Sequence, residues 1–253
     1  MCHGDPWMRF FDPRGRQIAE LSLHHGHGIR WKEWRSDAEL VDGTVSLLWM
    51  AEMGVTYPAE AYNEAIEQSR LMFAEWERWF AAMPACLQPI LASQRDSIGQ
   101  VLFVPAPEAT TRVAEEYCNP SCIDDAVHRA VMHALAATYP QSVERARVLF
   151  EWLGSSQSKW SGFPSYEEVP EHYLMRIPLE SLTAALGRDA VSAAQIAGAA
   201  RFFAGYQFAA RRSPELQRLP DELRARLLAE GLRVDDEDRQ KRAQHAFAQQ
   251  SVV

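Results

Sequence analysis

The chain has 253 residues, 47% hydrophobic and 24% charged, proportions ordinary for a globular protein. A chain of this length buries roughly 70–75% of its unfolded surface, so folding demands neither disulfides nor metal. Its 34 acidic and 26 basic residues leave a net charge of −8, which weighs against the Lys/Arg surplus that nucleic-acid binding draws on.

The acidic excess is concentrated in residues 58–150, while 151–253 is nearly neutral. An acidic middle steers basic partners toward the chain at long range. No apolar run approaches the roughly 18 residues of a membrane span. The start, MCHGDPWMRFF, has no basic segment leading into an apolar one. The expectation is a cytoplasmic protein without a membrane partner, its Cys2, Cys86, Cys118 and Cys122 present as thiols. Met8 is an alternative first residue, in which case residues 1–7 carry no fold information.

In chain order, WMRFF (7–11) and RQIAELSL (16–23) flank Asp12-Pro13-Arg14-Gly15, which predicts a β-hairpin with Gly15 in the left-handed region. Alternation puts Ala19, Leu21 and Leu23 on one face of the second strand, with Glu20 and Ser22 on the other. A third strand is expected at 28–35. Asp42 caps a helix at 43–53 in which Val45, Leu48, Trp49 and Met53 form an apolar stripe, and Gly54 ends it. Pro58 opens a longer helix carrying Tyr62, Ile66, Ser69, Phe73, Trp76, Phe80 and Met83 at alternating steps of four and three, stopped by Pro84.

QVLFVP (100–105) is a strand or a buried link. Helices are then predicted at 107–118, 121–139 and 141–153. A Ser/Gly/Pro-rich loop follows at 154–165, with further helices at 178–187, 189–212, 221–230 and 236–248. Ala193, Ala194, Ala197, Gly198, Ala199 and Ala200 make 189–212 a central, closely packed helix. The fold class is mainly α: an irregular bundle or stacked helix pairs (43–250) with a small N-terminal β piece (7–35), read as one domain over 1–253.

Three stretches invite a chemical reading. LHHGHGIRW (23–31) gathers His24, His25 and His27. On an extended backbone His24 and His25 face opposite ways, so a shared ion would need ligands from elsewhere, and the stretch reads as a strand end. CNPSCIDDAVHRAVMH (118–133) spells Cys118, Cys122, His128 and His133 at zinc-like intervals. Five residues on a helix, however, turn His128 and His133 apart by about 140°. There Ser121 reads as the helix cap, and Asp124 as the i,i+4 partner of His128. Ser156-Gln157-Ser158-Lys159 matches S-x-x-K without the companion strings of a serine acylase. Arg211, Arg212 and Arg218 form a local basic group that offers a weaker, nucleic-acid-binding reading.

The loop SKWSGFPSYEEVPEHY (158–173) combines Trp160, Phe163 and Tyr166 with Glu167 and Glu168. Loop aromatics are either folded into the core or left as binding anchors, and these five residues are the candidate partner contacts.

The segment RVLFEWLGSSQSKWSGFPSYEEVPEHYL (147–174), through Phe150-Glu151-Trp152-Leu153-Gly154 and Trp160 to Glu167, resembles a segment of uncharacterised bacterial all-helical proteins. The resemblance implies a helical domain and no particular activity. The functional expectation is a non-enzymatic protein that binds a basic protein, in its specific form an inhibitor or immunity protein against a basic toxin. It assigns no cofactor and no metal. The rival is a His/carboxylate enzyme, metal-assisted or not, around His24–His27 or His128.

Overall fold

The computed structural model describes residues 6–24, 28–31, 33–36, 38–92, 124–156, 160, 168–187 and 191–248. The architecture is mainly α with a small antiparallel sheet at the N-terminus. The predicted strand or link at 100–105 and the helix at 107–118 lie outside the described residues. The chain forms two compact units: Met1–Leu71 with Phe103–Thr111, and Met72–Leu102 with Arg112–Val253. The division falls inside a single helix whose apolar periodicity runs on unbroken, so the sequence carries no boundary signal there.

In the first unit, β1 (Trp7–Phe11), β2 (Gln17–His24), β3 (Gly28–Trp31) and β4 (Ala38–Glu39) form a meander in sequence order. The first turn follows from its residues. Asp12 Oδ1 accepts from the N–H groups of Arg14 and Arg16, both at 2.9 Å. Gly15 takes φ +77°, which a side chain would resist. The register opposes Met8 to Leu21 and Leu23 to Ile29, so these four share one face and Glu20, Ser22 and His24 the other, as the alternation required. The third strand stops at Trp31, and a two-residue fourth strand follows that is too short to leave a periodic trace.

Helix α1 (Gly43–Glu52) starts where Asp42 accepts from Thr44 N at 2.9 Å. It packs Leu47 and Met50 onto the sheet face carrying Met8, Leu23 and Ile29. Helix α2 (Tyr57–Ala81) gives Tyr62 to this small core. The predicted stripe of α2 also includes Ser69 and Phe73, whose side chains lie outside the described residues.

The second unit holds the main core. Trp76, Trp79 and Met83, from the end of α2 and just beyond, join Leu87 and Leu91, the latter on α3 (Gln88–Leu91). They pack with α4 (Asp125–Thr138), α5 (Ser142–Gly154), α6 (Glu168–Leu174), α7 (Leu179–Leu186), α8 (Ala193–Ala204) and α9 (Tyr206–Arg212). A 3-10 turn (Ser213–Arg218) leads to α10 (Asp221–Leu232) and α11 (Glu237–Phe247). Trp79, absent from the predicted stripe, is fully buried; its ring lies 4.8 Å from that of Trp152, whose Nε1–H donates to the Trp79 carbonyl at 3.0 Å.

Small residues organise this unit. A methyl group on Gly154 would lie 1.9 Å from the Ala194 carbonyl oxygen, and one on Gly198 would lie 1.9 Å from that of Phe150. Helices α5 and α8 therefore meet backbone to backbone, and Phe150, Phe202, Phe203 and Phe208 cluster beside the contact, edge to face except for the tilted pair Phe150 and Phe203. The predicted 189–212 helix is two helices. Gly205 interrupts it in extended geometry at ψ 154°, and Ser192 with Gln195 closes a reciprocal cap at its start. The described cap of α4 is Asp124, which accepts from Ala126 N at 2.5 Å, three residues later than the cap expected at Ser121. Ser121 itself lies outside the described residues.

Gly198→Ala is expected to push α5 and α8 apart and to cost roughly 2–3 kcal/mol or more. Urea denaturation of the variant beside Gly187→Ala, where an added methyl meets nothing closer than 3.6 Å, separates close packing from a general glycine effect.

Candidate interaction surface

Of the sequence candidates, His24 closes β2 and is buried, whereas His25 and His27 lie outside the described residues. So do Cys118, Cys122, Gln157, Ser158, Lys159, Phe163, Tyr166 and Glu167. Among the described residues, no three His, Cys, Asp or Glu side chains converge as a ligand set for a metal. Of the two fates open to loop aromatics, Trp160 takes the inward one: it is 6% exposed, with the Arg239 guanidinium 4.6 Å from its ring. Glu168 opens α6, a helix inside the stretch that the sequence reading treated as loop to residue 173. Pro170 falls in its first turn, where proline is tolerated. The basic group is largely occupied internally. Arg212 forms a two-pronged pair with Glu215 at 2.7 and 2.9 Å and donates to the Met175 and Ile177 carbonyls, while Arg218 pairs with Glu180 at 2.6 Å.

Helix α6 brings together polar groups that the sequence reading did not connect. Glu168, Glu171 and His172 are spaced i, i+3, i+4 along it. His172 stacks on His128 of α4 with centroids 4.6 Å apart, and His128 Nδ1 shares a 2.8 Å hydrogen bond with the Tyr173 hydroxyl. Arg176 Nη2 lies 3.2 Å from His172 Nε2. A guanidinium only donates, so this nitrogen accepts and the imidazole is held neutral. Burial, then His128, Arg176 and Arg211, push the His172 pKa down to about 4. Burial pushes Glu171 up to about 7 against the pull of Arg201, a buried residue of α8, and raises Glu168 as well. Burial also raises the Tyr173 phenol. The His172 imidazole and the Glu171 carboxyl are both shifted toward their neutral forms, which is how buried ionisable groups ordinarily lower their desolvation cost.

The first unit shows the opposite arrangement: apolar groups turned outward. On α1, Leu47 and Met50 are each 3% exposed, yet Val45, Leu48, Trp49 and Met53 are 61%, 64%, 50% and 68% exposed. An apolar stripe ordinarily faces the core. Here the stripe lies on the outer side of a helix whose inner side is apolar too. Val41, Val55 and Tyr57 are exposed in the segments flanking the helix, whereas Trp7 and Ile18, also exposed, stand by register and alternation on the sheet face opposite α1. Exposed apolar side chains gathered on one side of a helix, as Val45, Leu48, Trp49 and Met53 are, mark an interaction site in a folded protein.

The charge around the helix is one-sided. Residues 36–69 contain seven Asp and Glu and no Lys, Arg or His. Asp42, Glu52, Glu60, Glu64 and Glu67 are all exposed. This base-free stretch was the sequence signal that could have located the surface. No protein-family model, curated protein or solved structure matches the chain.

The α6 cluster yields a pH signature. Between about pH 4.5 and 7 the folded chain keeps a proton on Glu171 that the unfolded chain has released, so this group's contribution to stability falls as pH rises. His172 acts oppositely, its contribution falling as pH drops from 6.5 toward 4. Glu171→Gln removes only the first slope. The variant is therefore expected to gain stability relative to the parent as pH rises through that window, by on the order of 2 kcal/mol. Urea denaturation at several pH values measures this, and a pH-independent difference contradicts the assignment.

Proposed function

We propose that this chain is a non-enzymatic, cytoplasmic protein-binding protein whose partner-facing surface is the outer side of α1. Its specific form is an inhibitor or immunity protein that neutralises a basic toxin. The observation that carries the reading is the exposure of Val45, Leu48, Trp49 and Met53 beside the buried Leu47 and Met50, within a stretch that holds acids and no bases.

The charge selects the occupant. A second copy would set acid against acid, which is unfavourable at close range. An anionic membrane surface would repel the same carboxylates, and among the described residues no helix is long and apolar enough to cross a membrane. A basic amphipathic helix of another protein satisfies both features: its apolar ridge covers Leu48 and Trp49 while flanking Lys or Arg meet Glu52 and the acids of α2. The resemblance of 147–174 to bacterial helical proteins adds support for a helical domain and none for a particular partner.

A synthetic Leu/Lys amphipathic helix is expected to bind the full chain in titration calorimetry, and a Leu/Glu helix of equal hydrophobicity is not. Leu48→Ser with Trp49→Ser is expected to weaken binding at least tenfold, about 1.4 kcal/mol, with thermal stability unchanged because both residues face solvent. Raising the salt is expected to weaken it further. Equal binding by the parent and the double variant, or by the two peptides, contradicts the reading.

A further inference from the structure

The second unit contains a cleft of about 1110 Å³ between α9, the 3-10 turn, α10 and α11. Arg224, Lys241, Arg242 and His245 line it, and among the described residues lining it there is no Asp or Glu. In a chain of net charge −8, this is a local reversal of sign. Each cation does have an acid nearby: Lys241 pairs with Glu237 at 2.6 Å, Arg224 with Asp221 at 3.2 Å, and Arg242 lies 3.7 Å from Asp238. Those three carboxylates are 67–81% exposed, so solvent weakens their hold on the cations.

The arginines are only partly satisfied. Arg224 gives Nη2–H to the Leu219 carbonyl at 3.1 Å and to Asp221. Its Nε–H, and that of Arg242, are shut away from solvent without a hydrogen-bond partner. Donors shut off from solvent are equally out of a ligand's reach, so what the cleft offers an anion is the guanidinium charge of Arg224 and Arg242 and the exposed Lys241 ammonium. The rest of the lining is largely apolar, with Leu216 partly buried and Tyr206 standing 75% exposed. Large pockets of this build, apolar with a few converging polar groups, are the usual form of a small-molecule site.

We propose that this cleft binds a small phosphate monoester, its phosphate held by Arg224, Lys241 and Arg242 and its organic body lying against Tyr206 and the apolar lining. A phosphate monoester carries close to two negative charges and three acceptor oxygens, enough to meet the two guanidinium groups and the lysine together. Arginine's planar fork suits those oxygens.

Phenyl phosphate titrated into the full chain is the test, with inorganic phosphate and benzyl alcohol as comparators. Phenyl phosphate is expected to bind with a Kd of about a millimolar or below, tighter than inorganic phosphate, and benzyl alcohol least of all. Lys241→Gln and Arg242→Gln are each expected to weaken phenyl phosphate by about tenfold. Tyr206→Ala is expected to weaken phenyl phosphate and leave inorganic phosphate unchanged. Lys241 and Tyr206 are exposed, so matching melting curves for those two variants show that the fold is intact. No binding of phenyl phosphate at ten times that concentration, equal binding of benzyl alcohol, or full affinity in both charge variants overturns the proposal.

Discussion

A ten-residue helix that is apolar on both sides, lying on a sheet that reaches only one of them, is the constraint from which the functional account follows. Burying Leu47 and Met50 against Met8, Leu23 and Ile29 fixes the rotation of α1. Once that rotation is fixed, Val45, Leu48, Trp49 and Met53 have nowhere to go but outward. The cost of leaving them in water scales with the apolar area exposed, and a binding partner removes it. Folding thus decides, through one rotational choice, which apolar side chains of α1 are left in solvent. Any sequence change that turned α1 over would hide the surface and expose Leu47 and Met50 instead.

The second unit is built on a different principle. Close approach of α5 and α8 at Gly154 and Gly198 brings the phenylalanine cluster together. Ionisable groups drawn into this packing lose charge rather than pair fully, as His172 and Glu171 do on either side of neutrality. Arg201 and Arg239 enter the interior with acids close by. These arrangements describe how a helical core absorbs polar residues.

Much of the architecture was legible in the sequence wherever one local signal decided the outcome. Asp12 and Gly15 fixed the hairpin turn, Asp42 the start of α1, and the run of small residues the interior position of α8. Where two signals competed, reading failed. The short helix α6 was read as part of the aromatic loop at 158–173, although Glu168, Glu171 and His172 already fell on one helical face. Gly205 divided a run whose alanines argued for continuity. On α1, periodicity picked out Val45, Leu48, Trp49 and Met53 and passed over Leu47 and Met50, the residues that are buried, because periodicity alone cannot say which of two apolar faces the neighbouring sheet will cover. Trp160 in the proposed contact loop went the other way, into the core, because Arg239 supplied a cationic lid for its ring.

The direct measurement is the oxidation of Met50 and Met53 in the native, unbound chain by dilute hydrogen peroxide, followed residue by residue by peptide mass spectrometry. The two sulfurs sit three residues apart on the same short segment, one 3% and the other 68% exposed, and thioether oxidation follows access. The account predicts that Met53 reacts like a free methionine peptide while Met50 stays protected until the chain unfolds. Equal protection of both, or faster reaction at Met50, would mean that α1 presents a different face and that the interaction surface is not the one described.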